Sequence, residues 1–96
     1  MIVSFGNAVT ADLFHGRRQR RAMRVPQGLR AAVHRKFDML NAALTLEDLR
    51  VPPGNRLEAL KGNRKGWHSV RVNDQWRIVF RWTDGGPADV MLDDYH

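Results

Sequence analysis

The chain has 96 residues, which is enough for one domain with a modest hydrophobic core. The absence of cysteine excludes a disulfide framework and a thiolate metal site, and no run of about 20 apolar residues is present that would span a membrane. The formal net charge of +6 favours a nucleic acid or an acidic protein as partner. Because the start also lacks a signal-peptide pattern, we expect one cytoplasmic domain over residues 1–96.

The beginning of the chain predicts a strand followed by a short helix. Residues 1–5 alternate in polarity, which indicates a strand that lies at an edge or pairs with another strand. Asn7 is a typical N-cap, and we expect the helix to end before Gly16 with Leu13 and Phe14 turned inward.

An arginine run follows this helix. One interpretation is a solvated loop or helix end, and the other is a patch that binds RNA phosphate or an acidic partner. Because nothing nearby in the sequence neutralises the run, both interpretations stay open. The candidate RNA-binding residues here are Arg17, Arg18, Arg20 and Arg21.

The main helix is predicted to begin near Pro26 and to end near Thr45. Proline fits the first turn of a helix, and apolar residues then recur at helical spacing. We expect this stripe to be core; it consists of Leu29, Val33, Phe37, Leu40 and Leu44. Residues 45–48 resemble one further helical turn, which the prolines at 52 and 53 end.

The remaining chain predicts strands over residues 56–60, 67–72, 75–82 and 88–92. A three-residue loop at 73–75 keeps one face apolar, and it pairs Val70 with Ile78 and Arg71 with Arg77. The order of a strand, helices and antiparallel strands predicts an α+β fold. In this fold the N-terminal strand and the helices pack on a twisted antiparallel sheet.

The polar face of these strands is cationic. Arg71 and Arg77 lie opposite each other in the predicted register, which is destabilising unless both splay into water or an anion binds between them. Further cations favour an anion site here: Arg81 on the same face, and Lys61, Arg64 and Lys65 in the preceding loop.

Tyr95 and His96 end the chain at the edge of this face. The histidines lack zinc-ligand spacing and no phosphate-cradling Gly-rich motif precedes a helix, so we expect no metal and no cofactor. The alternative is a metal site that Asp93, Asp94 and a histidine form in the folded chain. The residues suit metal-free RNA cleavage, in which a 2′-hydroxyl attacks the adjacent phosphorus. Histidine moves protons, Arg and Lys stabilise charge, and tyrosine stacks on a base or relays a proton. The alternative for a terminal Tyr-His is a frayed tail.

Several segments resemble the HigB group of the RelE toxin superfamily. They read LKGNRKGW at 60–67, NDQWRIVF at 73–80 and DDYH at 93–96, with MIVSF as the opening strand. The resemblance covers the whole chain and implies a RelE-like fold. It also implies the toxin of a bacterial type II toxin–antitoxin pair, which cuts mRNA in the ribosomal decoding site without a metal.

The resemblance further implies partners and residue roles. A HigA-type helix-turn-helix antitoxin neutralises such toxins, and operator DNA is bound only through the antitoxin complex. By matching position, Lys61 and Arg77 stabilise phosphate charge, while Tyr95 and His96 orient the substrate and move protons. The remaining cations are expected to contact mRNA or ribosomal RNA: Arg64, Lys65, Arg71 and Arg81.

Three positions depart from the family pattern. Glu58 stands where some members have a functional histidine, Asn73 where some have an arginine, and Gln75 where an asparagine is usual. Two other functions remain open: a non-catalytic module that binds RNA or an acidic protein through its basic surface, and a toxin of the same fold with another target.

Overall fold

A computed structural model describes residues 1–17, 20 and 25–94. Over these residues the chain forms helices α1 (Ala8–His15) and α2 (Gln27–Ala42) and strands β1 (Glu58–Ala59), β2 (Trp67–Arg71), β3 (Trp76–Thr83) and β4 (Gly86–Asp94). The strands form an antiparallel sheet in the order β1-β2-β3-β4, which confirms the predicted α+β class. Within these residues, neither helix combines the length and the apolar character that a membrane crossing requires.

The first helix has the ends that its sequence predicts. The Asn7 side chain accepts a hydrogen bond from the Thr10 N–H at 2.9 Å, which caps the helix at its start. Gly16 adopts a left-handed conformation with φ of 70° and ends the helix. Leu13 is buried and the Phe14 ring lies 5.7 Å from the Phe37 ring of α2, so both side chains face the core.

The second helix is shorter than predicted. It ends at Ala42 rather than near residue 45, and Leu44 is 88% exposed, so its placement in the core stripe was wrong. The other four members of the stripe are buried: Leu29, Val33, Phe37 and Leu40. The Asp48 carboxylate accepts from the N–H groups of Leu44 and Thr45 at 2.9 and 3.0 Å, which diverts the chain into a 3-10 helix (Leu46–Arg50).

The central hairpin has the predicted register. Val70 lies opposite Ile78, and Arg71 lies opposite Arg77. The physical reason lies in the turn, because the Asn73 side-chain oxygen accepts from the N–H groups of Gln75 and Trp76 at 2.9 and 2.8 Å. These bonds close the loop of three residues, 73–75, between Val72 and Trp76, where the Val72 N–H donates to the Trp76 carbonyl at 2.9 Å.

Both outer parts of the sheet are less regular than predicted. Strand β1 covers only Glu58–Ala59 rather than residues 56–60, because Arg56 adopts a left-handed φ of 44°. Residues 1–5 run parallel to β4 without forming a regular strand, as the Val3 N–H bonds the Pro87 carbonyl at 2.8 Å and Phe5 pairs with Val90.

The two faces of the sheet differ in what covers them. The face formed by Val70, Ile78, Phe80 and Val90 packs against the buried stripe of α2 and forms the core. The opposite face carries Arg71, Arg77 and Arg81 around Val79, which is also fully buried. We call this opposite face the open face; it positions the candidate site.

Candidate functional site

Arg77 lies at the centre of the open face and is held in place by two neighbouring strands. Its Nη1 donates to the Ser69 hydroxyl on β2 at 2.5 Å and lies 3.3 Å from the Glu58 carboxylate on β1. The Arg77 side chain is only 11% exposed, whereas that of Glu58 is 54% exposed. A guanidinium with these partners has a fixed orientation and still reaches the surface of the sheet.

The like charges of Arg71 and Arg77 are each met by a carboxylate of the chain. Arg71 forms an ion pair with Asp74 in the hairpin turn, and Arg77 is paired with Glu58. These carboxylates offset the repulsion that the register imposes. The anion expected from the sequence is therefore represented by the protein's own carboxylates, one beside each arginine.

Arg64 connects the basic loop to the last strand. The loop forms a 3-10 helix (Gly62–Arg64), and the Arg64 Nη1 lies 2.9 Å from the Asp93 carboxylate of β4. Asp93 is the register partner of Arg77, so Arg64 reaches across the open face to the residue beside it. The loop, β3 and the end of β4 thus meet at one place.

The other loop cations are solvated. Lys61 and Lys65 flank the 3-10 helix and are exposed. Within residues 1–17, 20 and 25–94, neither ammonium group forms an ion pair. Because the loop is short, both lysines lie near the ion pair of Arg64 and Asp93. Both are available to an incoming anion.

Arg81 lies farther along the same face and is firmly engaged. Its Nε and Nη2 donate to one Asp89 carboxylate oxygen at 2.8 and 2.6 Å, and its guanidinium lies 5.9 Å from the centre of the Trp67 ring. Asp89 lies at the bulge that interrupts pairing between β3 and β4. The aromatic ring and the arginine extend the polar surface beyond Arg77.

The arginine run of the N-terminal region does not join this group in the described residues. Arg17 lies 3.5 Å from the Asp12 carboxylate of α1, so the expectation that nothing nearby neutralises the run was wrong for Arg17. Asp12 lies five residues before Arg17, inside α1, and the sequence alone did not indicate that the two side chains meet. Arg20 is exposed. The predicted residues Arg18 and Arg21 lie outside the described residues.

The terminal Tyr95 and His96 also lie outside the described residues. The last described residue, Asp94, pairs with Trp76, and its carboxylate accepts from the Gln75 side chain at 3.3 Å. Strand β4 is therefore ordered up to the residue that precedes the predicted catalytic pair. Among the described residues, no group of three or more His, Asp or Glu side chains is arranged to hold a metal ion.

Sequence reasoning missed two polar residues. Asn55 is fully buried and accepts from the Lys36 ammonium at 2.7 Å, a contact between α2 and a loop that no periodicity reveals. His68 is half-buried, and its ring stacks 6.3 Å from that of Phe80. Burial, and then the Arg50 charge, lower the pKa of His68.

Comparison with known proteins agrees with this architecture. A family described as "RelE-like toxin of type II toxin-antitoxin system HigB" matches residues 3–96. Toxin HigB-1 of Vibrio cholerae is 49% identical over 69 residues, which cover 72% of this chain and 73% of that protein. An uncharacterized protein of Haemophilus influenzae is 34% identical over 70 residues, covering 73% of this chain and 69% of that protein. Endoribonuclease HigB of Proteus vulgaris is 39% identical over 41 residues, covering 43% and 45%.

The structure has a short antiparallel sheet with one helical face and one cationic face, and the family matches nearly the whole length of the chain. Together these findings define a RelE-like toxin of a type II toxin–antitoxin system. Within that class, the chain belongs to the HigB-like family. The expectation of a HigB-type toxin is confirmed, and its membership of a toxin–antitoxin system implies an antitoxin partner.

Proposed function

We propose that this toxin is a ribosome-dependent, metal-independent endoribonuclease that stops translation by cutting mRNA in the decoding site. The observation that supports this most directly is the fixed guanidinium of Arg77, buried between Ser69 and Glu58 in the floor of a cationic face. A pre-oriented cation stabilises the charge that develops on a phosphorane without reorganising during the reaction.

The reaction begins at the 2′-hydroxyl of the nucleotide before the cut. Its oxygen forms a bond to the adjacent phosphorus and its proton passes to a base, while the bond from phosphorus to the 5′-oxygen breaks and that oxygen takes a proton from an acid. Lys61 and Arg77 stabilise the phosphorane charge, and Tyr95 and His96 orient the nucleotide and move the protons. No metal and no cofactor takes part.

The surrounding cations position the RNA. Arg64, held at 2.9 Å from Asp93, brings the basic loop to the end of β4, and Lys65 lies at the exposed end of that loop. On the open face, Arg71 lies across from Arg77 on β2, and Arg81 lies farther along β3 beyond Val79. In this arrangement phosphate oxygens replace the exposed carboxylates as partners of these arginines.

The proposed partners are those that the family resemblance implies. A HigA-type helix-turn-helix antitoxin neutralises the toxin, and operator DNA is bound only through their complex. The substrate is mRNA on the ribosome, which places the toxin in the bacterial cytoplasm.

The test follows one defined mRNA on programmed ribosomes by primer extension. Antitoxin-free wild-type protein is compared with His96→Ala and with Arg50→Gln. Arg50 is already paired with Glu47 at 2.6 Å, so its variant controls for loss of a positive charge.

We expect wild type and Arg50→Gln to cut within the decoding-site codon, and His96→Ala to lose at least about a hundredfold in rate. Cutting by His96→Ala at the wild-type rate would move the proton chemistry to Glu58, Lys61 or Tyr95. No cutting by folded wild-type protein would reject the proposal in favour of a binding module or another target.

A further inference from the structure

Lys36 lies at the edge of the buried stripe of α2, where its ammonium is held by a buried amide. The Lys36 Nζ donates to the Asn55 Oδ1 at 2.7 Å. Asn55 is 1% exposed, and its Nδ2 donates to the carbonyls of Leu49 and Val51 at 3.1 and 3.5 Å. Because these carbonyls use the amide hydrogens, the amide oxygen is directed at Lys36. The protein therefore fixes the position of this charge.

The charge of Lys36 is positioned but not balanced. Asn55 is neutral, and among the described residues no carboxylate forms an ion pair with the Lys36 ammonium. Burial lowers the pKa of Lys36 first, and the charges of Arg35 and Arg71 lower it further. All three effects disfavour the charged ammonium of Lys36. A bound anion would offset the repulsion from Arg35 and Arg71.

The positive charges come from two elements, α2 and β2, which meet through Asn55, the partner of Lys36. Arg35 and Lys36 belong to α2, Arg71 ends β2, and the short 3-10 helix (Pro53–Asn55) packs against β2. The cluster of Arg35, Lys36 and Arg71 contains three cations. Among the described residues, the one carboxylate that forms an ion pair with it is that of Asp74, which leaves two positive charges. The Asp74 side chain is 98% exposed, so this ion pair is weak and open to competition.

This cluster continues the candidate site. Arg71 lies directly opposite Arg77 on the open face, so a polyanion on Arg77 meets the cluster next. Elsewhere on that face, Arg64, Arg77 and Arg81 each have a carboxylate within 3.3 Å. The excess positive charge lies at the end of β2 rather than at the centre of the open face. This position suits a contact with the part of the RNA that flanks the reacting nucleotides.

We propose that Lys36 and Arg71 form a second phosphate-binding site, which holds a backbone phosphate of RNA outside the codon that is cut. The inference rests on the proposed function, because it assigns the flanking RNA to the same surface. A phosphodiester offers two anionic oxygens, one for the ammonium and one for the guanidinium. Such a contact adds affinity without reading sequence.

The first test measures the binding of antitoxin-free protein to a fluorescent single-stranded RNA at salt concentrations between about 50 and 200 mM. We expect Lys36→Gln to weaken binding by about threefold or more, and to reduce the salt slope by about 0.7. Lys36→Arg keeps the charge and should remain within about twofold of wild type. Thermal melting verifies that each variant is folded.

The control is Arg50→Gln, which removes an equal charge from an arginine already paired with Glu47. Its salt slope should match that of wild type. Equal slopes for wild type and Lys36→Gln would overturn the second site. So would a Lys36→Gln variant that binds RNA normally but loses affinity for the antitoxin, because the cluster would then serve an acidic protein.

A second test does not depend on the ribosome. Titration with inorganic phosphate, observed through the Asn55 side-chain amide resonances, should give a saturable shift in wild type and none in Lys36→Gln. If phosphate and RNA bind at Lys36 while ribosome-bound mRNA stays intact, the proposed function fails and the site stands. If wild type cuts mRNA but shows no shift and no change in salt slope, only the site fails.

Ribosome binding then identifies the source of the phosphate. In an inactive His96→Ala background, a weaker Lys36→Gln affinity for both vacant and programmed ribosomes would assign the phosphate to ribosomal RNA. A loss confined to programmed ribosomes would assign it to mRNA. If Lys36→Gln binds both vacant and programmed ribosomes as tightly as the protein that keeps Lys36, the site is rejected.

Discussion

Arg77 owes its orientation to side chains of two other strands. The Ser69 hydroxyl accepts from its Nη1 at 2.5 Å, and Ser69 itself is fully buried. The hydroxyl is a better permanent partner than Glu58, because an incoming phosphate can displace an exposed carboxylate but cannot displace a buried neutral group. We therefore regard Ser69 as a positioning residue that acts through Arg77.

At this residue scale, Ser69→Ala tests the positioning role. Loss of the hydrogen bond to a charged group should cost about 1–3 kcal/mol of stability. Without this bond the Arg77 guanidinium is free to reorient. The cleavage rate at saturating ribosomes should then fall by roughly 10- to 100-fold, with ribosome affinity within about twofold of wild type.

Thr83→Ala provides the matched control for Ser69→Ala. The Thr83 hydroxyl donates to the Gly86 carbonyl at 2.7 Å, at the other end of β3. Thr83→Ala should lower the stability of the fold and leave the cleavage rate unchanged. An equal loss of rate in both variants would show that the Ser69 bond serves only the fold.

At the scale of elements, the β2–β3 turn fixes which residues share the open face. A shift of register by one residue would turn Arg77 towards the core and Ile78 towards the open face. Asn73 prevents this by accepting from two successive N–H groups. The position where some relatives have an arginine is therefore structural in this chain.

Asn73→Ala should lower the free energy of unfolding by about 0.5–2 kcal/mol, because both N–H groups of the turn lose their protein acceptor. Urea denaturation measures the change. Asn63→Ala, at an exposed asparagine of the basic loop, serves as the control and should remain within about 0.5 kcal/mol of wild type. Equal stabilities of the two variants would contradict the role of Asn73.

At the scale of the whole molecule, local patterns predicted more of the fold than of the site. The hairpin register followed from parity, since only one register keeps Val70 and Ile78 on the apolar face. Leu44 fitted the helical period but is exposed, because the Asp48 carboxylate accepts from the Leu44 N–H at 2.9 Å and the chain leaves the helix before this residue.

The carboxylate partners of the arginines could not be predicted in the same way. Arg64 and Asp93 are 29 residues apart, and only the folded loop brings them together. Arg77 and Glu58 are 19 residues apart on strands that are not adjacent. Sequence indicated where the cations lie, whereas their partners depend on the complete sheet.

The same packing makes the stability of the whole molecule depend on pH through His68. Its ring stacks on Phe80 in the half-buried edge of the core, and burial, followed by the Arg50 charge, lowers its pKa from the ordinary value of 6.5. Between the folded pKa and 6.5 the unfolded chain binds more protons than the folded one. Stability should therefore fall as pH drops below about 6.5, and the loss should be complete below the folded pKa.

His68→Phe removes the titrating group and keeps a ring against Phe80. Urea denaturation at about pH 7.5 and about pH 5.5, both above the range of ordinary carboxylates, should show a smaller decrease in stability for this variant than for wild type. His15→Gln, at an exposed histidine of α1, should keep the wild-type decrease. An identical decrease in wild type and His68→Phe would mean that the proton taken up on acidification binds elsewhere, and that β2 contributes to stability through packing alone.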